Sequence, residues 1–499
     1  MLLLGIDVGT SSIKVAVVDA STQETICTVQ YPETETPIIA LQNGWAEQSP
    51  IDWWNHTKLA IQKANAEKKY NPQDIGAIGI AYQMHGLVCI DKDQNLLYNS
   101  IIWCDSRAVA IGNKAFQALG SDYCLSHLLN SPGNFTASKL AWIKENEPAI
   151  YEKIDQIMLP GDYIAMKFSG SSTTSISSLS EGVFWDFKNN CLSEELFQYY
   201  GFEKSLIPPI KDVFSNHGSL SATIASELSL KVGIPVTYKA GDQPNNALSL
   251  NVFEPGEVAA TAGTSGVIYG ISDQLKYDPL SRVNSFAHVN HSEDLNRIGI
   301  LLCINGTGIL NSWVKKIAGN GLSYSQINEA AATISAGSDG LKMLPFGNGA
   351  ERMFENKTVH AHINNIDLNI HGTAHIFRAA QESIAFAFRY GLDILKENGT
   401  IPTVIRAGKA NMFQSSVFQQ AFVDVTNVPV ELYKTDGSIG AAIGAGIGIG
   451  IYQSSKEAFS INKPLAIIEP KNENVYNELY LQWKSYLEKQ MVQLNLNNQ

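Results

Sequence analysis

The chain opens on an apolar run, Leu2 to Ile6, broken by Asp7. After Val8 come four small or hydroxylated residues, Gly9-Thr10-Ser11-Ser12, and then a second apolar run from Ile13 to Val18 that carries Lys14. Two such runs about a short polar turn predict a β-hairpin with a polar tip. The same order returns in the second half, where Val258 to Ala262 leads into Gly263-Thr264-Ser265-Gly266 and out through Val267 to Gly270. One hairpin of this composition opening each half predicts two copies of one domain facing each other. Between them, Ser49-Pro50-Ile51-Asp52 has a hydroxyl cap, proline in the first turn and an acid at the positive end of the dipole, predicting a helix through Trp54 towards Lys68. Strands are expected over Ile75 to Tyr82, Leu87 to Ile90 and again from Leu96, the last two joined by the polar turn Asp91 to Asn95. Helical periodicity runs from Ala374 to Lys396, and Val475, Leu479, Trp483, Tyr486, Leu487, Met491 and Leu494 mark one face of a C-terminal helix. The alternation of helices and strands makes the class α/β.

At 499 residues the chain is too long for one compact core. A hinge just past Asp242 divides it into residues 1–246 and 247–499. The formal charge of −12 excludes general affinity for nucleic acid or an anionic membrane surface. An anionic cosubstrate therefore has to be held locally, by amides, hydroxyls and a metal. Leu2 to Leu4 has no basic start, so it does not read as a secretory leader, and the apolar stretch Gly440 to Ile451 is too short to span a membrane. The six cysteines are scattered without C-x-x-C spacing, so the expected compartment is the reducing cytoplasm.

The candidate chemistry gathers at the ends of the apolar runs. Gly9, Thr10 and Ser11, with their counterparts Gly263, Thr264 and Ser265, offer what a phosphate chain needs: close backbone approach, amides pointing into a turn, and hydroxyl donors. One Gly-Thr-Ser is a common turn composition; two, beside Asp7, point to a triphosphate held between facing tips. Asp7 ends a buried strand, where a carboxylate is costly without a partner such as Mg²⁺. Lys14 reads equally as a phosphate neutraliser or a solvated edge residue. Asp242 comes just after the apolar run Gly233 to Tyr238 and sits among amide side chains, which suits either a loop cap or a general base ionised at an ordinary pKa near ~3.9.

Taken in order, Gly5-Ile6-Asp7-Val8-Gly9-Thr10-Ser11, Trp45-Ala46-Glu47-Gln48, Gln83-Met84-His85-Gly86, Trp103-Cys104-Asp105-Ser106-Arg107, Leu159-Pro160-Gly161-Asp162-Tyr163, Gly241-Asp242, Gly263 to Gly266, and Leu344-Pro345-Phe346 with Glu351-Arg352 resemble the FGGY carbohydrate kinases from Leu4 to Gly450. The likeness is strongest to the branch that phosphorylates D-xylulose. The resemblance implies two actin/hexokinase-like (ribonuclease H-like) ATPase domains facing a central cleft, each with a five-stranded mixed sheet. The first would carry the sugar site, the first phosphate hairpin and the base; the second would carry the other hairpin and the adenosine site.

The resemblance also implies ATP and Mg²⁺ as cofactors, a small sugar as the partner, and room for a homodimer. It assigns Asp242 as catalytic base, Asp7 to the metal, and Gly9, Thr10, Ser11, Lys14, Gly263, Thr264 and Ser265 to the phosphates. Met84, His85 and Gln243 fall to the sugar, Asp105 and Arg107 to lining or bracing its pocket, and Gly408 and Asn411 to adenosine. Gly440 to Ala445 resembles a helix whose small residues let the nucleotide lie close. Three positions depart from the family pattern: the adenosine loop Ala407-Gly408-Lys409-Ala410-Asn411, Gln243-Pro244 in place of Asn-Ala, and Cys104 in place of Asn. An actin-like ATPase without sugar turnover and a non-catalytic sugar sensor are the rival readings; the Gln83 to Gly86 motif disfavours the first, and the second has no DNA-binding segment ahead of the hairpin. The Asp91-Asp93-Asn95 echo of a calcium loop lacks glycine at the sixth position and reads as a turn.

Overall fold

The computed structural model describes residues 1–434 and 436–497. Both halves begin with the expected hairpin. In the first, β1 (Leu2–Val8) pairs with β2 (Ile13–Asp19), Val8 opposite Ile13, and β3 (Thr25–Tyr31), β4 (Ile75–Tyr82) and β5 (Val236–Gly241) complete a sheet ordered β5-β4-β1-β2-β3. β1, β4 and β5 run parallel. The second half contributes β6 (Glu257–Ala262), β7 (Gly266–Ser272), β8 (Asn284–Ala287), β9 (Ile298–Ile304), β10 (Val404–Gly408), β11 (Val430–Tyr433) and β12 (Ala466–Ile468), ordered β8-β9-β7-β6-β10-β11-β12.

The inner strands β9-β7-β6-β10-β11 repeat the first sheet: a hairpin, an antiparallel third strand, then parallel fourth and fifth strands. The duplication signalled by two turns therefore extends to whole sheets. The second sheet has seven strands rather than the expected five, because β8 and β12 add to its two edges.

The helices used below are α1 (Pro50–Ala66), α2 (Thr136–Asn146), α3 (Ile176–Glu181), α4 (Asp242–Ser249), α5 (Gly308–Ala318), α6 (Thr373–Glu397), α7 (Gly437–Gly448) and α8 (Glu473–Asn497). Ser49 caps α1, its hydroxyl accepting from the Asp52 N–H. The strand expected from Leu96 does not form. Leu96 makes only an isolated bridge to Ile90, while the Tyr98 hydroxyl and the Asn99 amide turn to Glu47. The buried face of α8 is rotated by about one residue from the expected one: Tyr476, Tyr480, Trp483 and Leu487 are buried and Val475 is exposed. The tyrosines can go inside because Glu382 and Asp393 accept from their hydroxyls. No helix among the described residues is long and apolar enough to cross a membrane.

Two helices tie the halves together. α4 leaves the end of β5. α7, built from the second half of the chain, lies on the first sheet: a Cβ on Gly5 would stand 1.8 Å from the Ser438 carbonyl oxygen, and one on Gly79 would stand 1.9 Å from that of Ala441. Asn245 of α4 donates to the Gly437 carbonyl of α7 at 2.9 Å. The Gly440 to Ala445 run is thus a backbone-close packing seam, and this part of residues 247–499 belongs physically to the core of the first sheet.

Candidate active site

Because β1, β4 and β5 run parallel, their last paired residues, Val8, Tyr82 and Gly241, stand in one row. The residues just beyond each strand therefore emerge at one edge, as at the carboxyl ends of any parallel sheet. Asp7 precedes Val8; Gln83, Met84 and His85 come after Tyr82; and Asp242 comes after Gly241 as the first residue of α4. Pro244 fits the first turn of α4, where an N–H would have no helical partner.

The two aspartates are not ordinary carboxylates. Asp242 is pushed up to about 7, chiefly by burial and then by Asp7, with N–H groups of Gln243 pulling the other way. Asp7 is pushed up to about 6, by burial first and then by Asp436, with Lys14 opposing. The expectation of an unperturbed pKa at Asp242 is therefore corrected: the low-dielectric edge and then the Asp7 charge raise it. Asp436 carries no signal in the sequence. It caps α7 through the Ser438 N–H at 2.9 Å and pairs with Lys14 at 3.5 Å, so Lys14 is engaged by a carboxylate. One lysine facing Asp7 and Asp436, with Asp242 beside them, leaves an excess of negative charge that suits a divalent cation. No cluster among the described residues supplies a full ligand set, so such an ion would keep water or phosphate oxygens in its shell.

His85 adopts a left-handed conformation, φ +63°. Its Nδ1 lies 2.9 Å from the Glu181 carbonyl oxygen, which can only accept. Burial first, then the Lys139 ammonium, holds the imidazole neutral, its pKa down to about 3. A neutral ring that donates through Nδ1 offers Nε2 as an acceptor. Phe135 packs edge-on to the ring at 4.9 Å, and Phe286 of β8 covers it at 5.4 Å. β8 is stitched to the first half by Asn130, which exchanges two hydrogen bonds with Ser285, and by Ser177 and Ser180 of α3, which bond Ala287. The surroundings of His85 thus come from both halves. Met84 is buried, its Cγ 2.7 Å from where a Gly241 Cβ would stand.

Gln243 faces Asp242 with its N–H groups. Asp105 and Arg107 are sealed in. Arg107 is sandwiched over Trp45 and Trp142, at 3.7 and 4.9 Å, and pairs with Asp105 and Glu47, its side chain 1% exposed. Of the two expectations for this pair, lining or bracing the sugar site, the burial favours bracing, since its charged groups are spent on one another inside the protein. Lys139, a lysine inside an apolar helix face, donates to the carbonyls of His85 and Ile102 at 2.8 and 3.0 Å. Lys139, Glu181 and Phe286 were not singled out in the sequence, because their positions depend on long-range packing.

At the first tip the Thr10 hydroxyl donates to Gln83 and accepts from Trp103, both at 3.0 Å, leaving Ser11 as the exposed residue of the turn. At the second tip Thr264 and Ser265 are exposed, and Gly263 is half-buried with its carbonyl taking the Gly308 N–H at 3.0 Å. Gly263, Thr264, Gly308, Asn311, Tyr324 and Asn411 line a cavity of about 300 Å³. Gly408 ends β10, three residues before Asn411, whose left-handed φ of +51° turns the loop. The geometry therefore brings Gly263, Thr264 and Asn411 together, and Asp7, His85 and Asp242 together.

The profile for the N-terminal domain of the FGGY family of carbohydrate kinases matches residues 2–249, and that for its C-terminal domain matches residues 258–449. The xylulose kinase of Bacillus subtilis (strain 168) is 26% identical over 495 residues, covering 97% of this chain and 96% of the relative. Among solved structures, the xylulose kinase of Rhodospirillum rubrum superposes with a TM-score of 0.87 at 24% identity, over 98% of this chain and 99% of that one. A Plasmodium falciparum glycerol kinase with ADP gives 0.89 at 21%, over 98% of each. Matched in order through both halves, and duplicated in the same way at the level of its sheets, the chain belongs to the FGGY family of carbohydrate kinases.

Proposed function

We propose that this kinase transfers the γ-phosphoryl group of ATP to the 5-hydroxyl of D-xylulose, with Asp242 as the general base. The carrying observation is the shared strand edge: Asp242, Asp7 and the acceptor nitrogen of His85 converge where a sugar and a terminal phosphate can meet. The adenosine would occupy the cavity near Asn411, with the phosphates running from the Gly263-Thr264-Ser265 tip towards Gly9, Thr10 and Ser11. Asp7, aided by Asp436, would hold Mg²⁺; the ion when bound neutralises charge on the phosphate oxygens. His85 Nε2 accepts from a sugar hydroxyl, and Met84 and Phe286 form apolar walls. Asp242 takes the proton of the attacking hydroxyl as the new O–P bond forms and the bond to ADP breaks. Positioning and charge neutralisation supply most of the acceleration, because this reaction asks for little covalent help from the protein. D-xylulose rests on the sequence likeness to xylulose kinases, since sugar kinases that differ in substrate share the fold.

The test is a coupled ADP-release assay over D-xylulose, L-ribulose, glycerol, gluconate and L-fuculose. D-xylulose should give the highest kcat/KM; another clear winner overturns the substrate. Asp242→Ala should lose turnover by ~10³-fold or more, while sugar and ATP still bind. ADP release indifferent to every sugar favours the ATPase reading instead.

A further inference from the structure

Glu181 is the last residue of α3, and the phosphoryl transfer makes no use of it. It is 1% exposed, and it grips His85 twice. Its side-chain Oε1 accepts the His85 backbone N–H at 3.2 Å, and its own backbone carbonyl accepts from the His85 ring at 2.9 Å. Its other oxygen, Oε2, is buried without a partner and lies 2.6 Å from where a Gly241 Cβ would stand, directly against the residue before Asp242. A buried carboxyl oxygen with no partner is expensive, and selection retains one where it serves a site.

We propose that Glu181 is a positioning residue of the sugar site, clamping the left-handed turn at His85 by side chain and main chain together so that the Nε2 lone pair faces a sugar hydroxyl. This deepens the kinase reading and rests on it. The groups facing the carboxyl are His85 and Tyr82 from β4 and its turn, Lys139 from α2, Asp162 from the helix Pro160–Ser169, Asp242 from α4 and Tyr269 from β7. Burial, with Asp242 and Asp162 adding to it and the His85 N–H and Lys139 opposing, pushes the carboxyl well above the usual range. The role asks for an acceptor oxygen at the Oε1 position, which an amide also supplies.

The experiment is a double-mutant cycle between Glu181→Ala and His85→Ala in the full-length enzyme, read with D-xylulose or whichever panel sugar is turned over. Glu181→Ala should raise the sugar KM about tenfold, the worth of one buried hydrogen bond and its ordering. The kcat and the KM for ATP should change much less, and the double variant should be no worse than His85→Ala alone. Glu181→Gln should restore the sugar KM and leave the acidic limb of the pH profile where it is in wild type. If Glu181→Ala does not fold, Glu181→Met, which fills the space but cannot accept the N–H, carries the same expectations. ¹⁵N spectra of the ligand-free enzyme should show His85 protonated at Nδ1 in wild type and Glu181→Gln, and a mixture of ring forms in the apolar variant. Additive effects in the cycle, or a Glu181→Gln variant as impaired as the apolar one, overturn the proposal. A wild-type enzyme inactive on every sugar overturns the kinase reading instead, and the spectra then still judge the clamp.

Discussion

The sharpest consequence of the geometry is a pH dependence that an ordinary aspartate would not give. Asp242 stands at about 7 and Asp7 at about 6 in the free enzyme, and both are raised by burial before any neighbour is counted. A base at about 7 is roughly half ionised at pH 7, ~9% at pH 6 and ~1% at pH 5, so its protonation alone removes a factor of ~50 between pH 7 and 5. If Asp7 must also be ionised to hold the metal, its own titration contributes a further factor of ~10, and the limb belongs to the pair rather than to either residue. An Asp near ~3.9 would lose less than about a tenth of its activity over the same interval. The assay is initial-rate ADP release with both substrates well below saturation, so that the ionisation of the free enzyme governs the rate. Asp7→Asn should shift what limb remains towards lower pH, but only part of the way, because burial outranks Asp7 among the causes. A profile flat from pH 5 to 7 in wild type refutes the reasoning, since it requires either an exposed Asp242 or a different base.

The same raised carboxylate lowers stability once it ionises: its favourable contribution is complete below the unfolded pKa near ~3.9 and is lost as pH rises through about 7. Asp242→Asn should therefore melt higher than wild type at pH 8 and lose that advantage towards pH 4, as differential scanning calorimetry will read; an equal offset at both pH values counts against it. Arg107→Met leaves Asp105 and Glu47 buried without their cation and should cost about 3–5 kcal/mol in urea unfolding, with an unchanged midpoint contradicting the bracing role. Gly5→Ala drives a Cβ to within 1.8 Å of the Ser438 carbonyl and should cost about 1–3 kcal/mol or more, seen as a lowered melting temperature; normal stability would mean that α7 is not seated there.

The elements legible in the sequence were those with local causes. The Gly-Thr-Ser hairpins, the Ser49-Pro50 helix start and the helix from Ala374 to Lys396 all formed, with ends within a few residues of expectation. What failed depended on partners far along the chain. Leu96 was apolar enough for a strand, yet Glu47, some fifty residues earlier, claims the polar groups just after it. Tyr476 and Tyr480 displaced Val475 from the buried face of α8 only because Glu382 and Asp393 wait for their hydroxyls. In the site the split is the same. Asp7 and Asp242 were visible as acids at the ends of apolar runs, and His85 through the family resemblance of the Gln83 to Gly86 motif. Glu181, Lys139, Phe286 and Asp436 come from helices and an edge strand whose docking no local pattern announces.

That division bears on how the two sites communicate. α7 starts at Asp436, which faces Asp7 and Lys14, and runs over Gly5 and Gly79 of the first sheet, although the chain reaches it from β11 of the second. α4 starts at Asp242 and leads from the first sheet into β6, whose end carries Gly263 and Thr264. Each half thus sends one helix across, and each helix begins on an acid of the candidate site. With backbones in contact at Gly5 and Gly79, α7 cannot slide without lifting off the sheet, and β8 is separately bonded to Asn130, Ser177 and Ser180 of the first half, so the two halves are held to each other at two places. On the proposed reading, those two attachments hold the base and the metal site in fixed relation to the second sheet, whose hairpin tip would meet the phosphates.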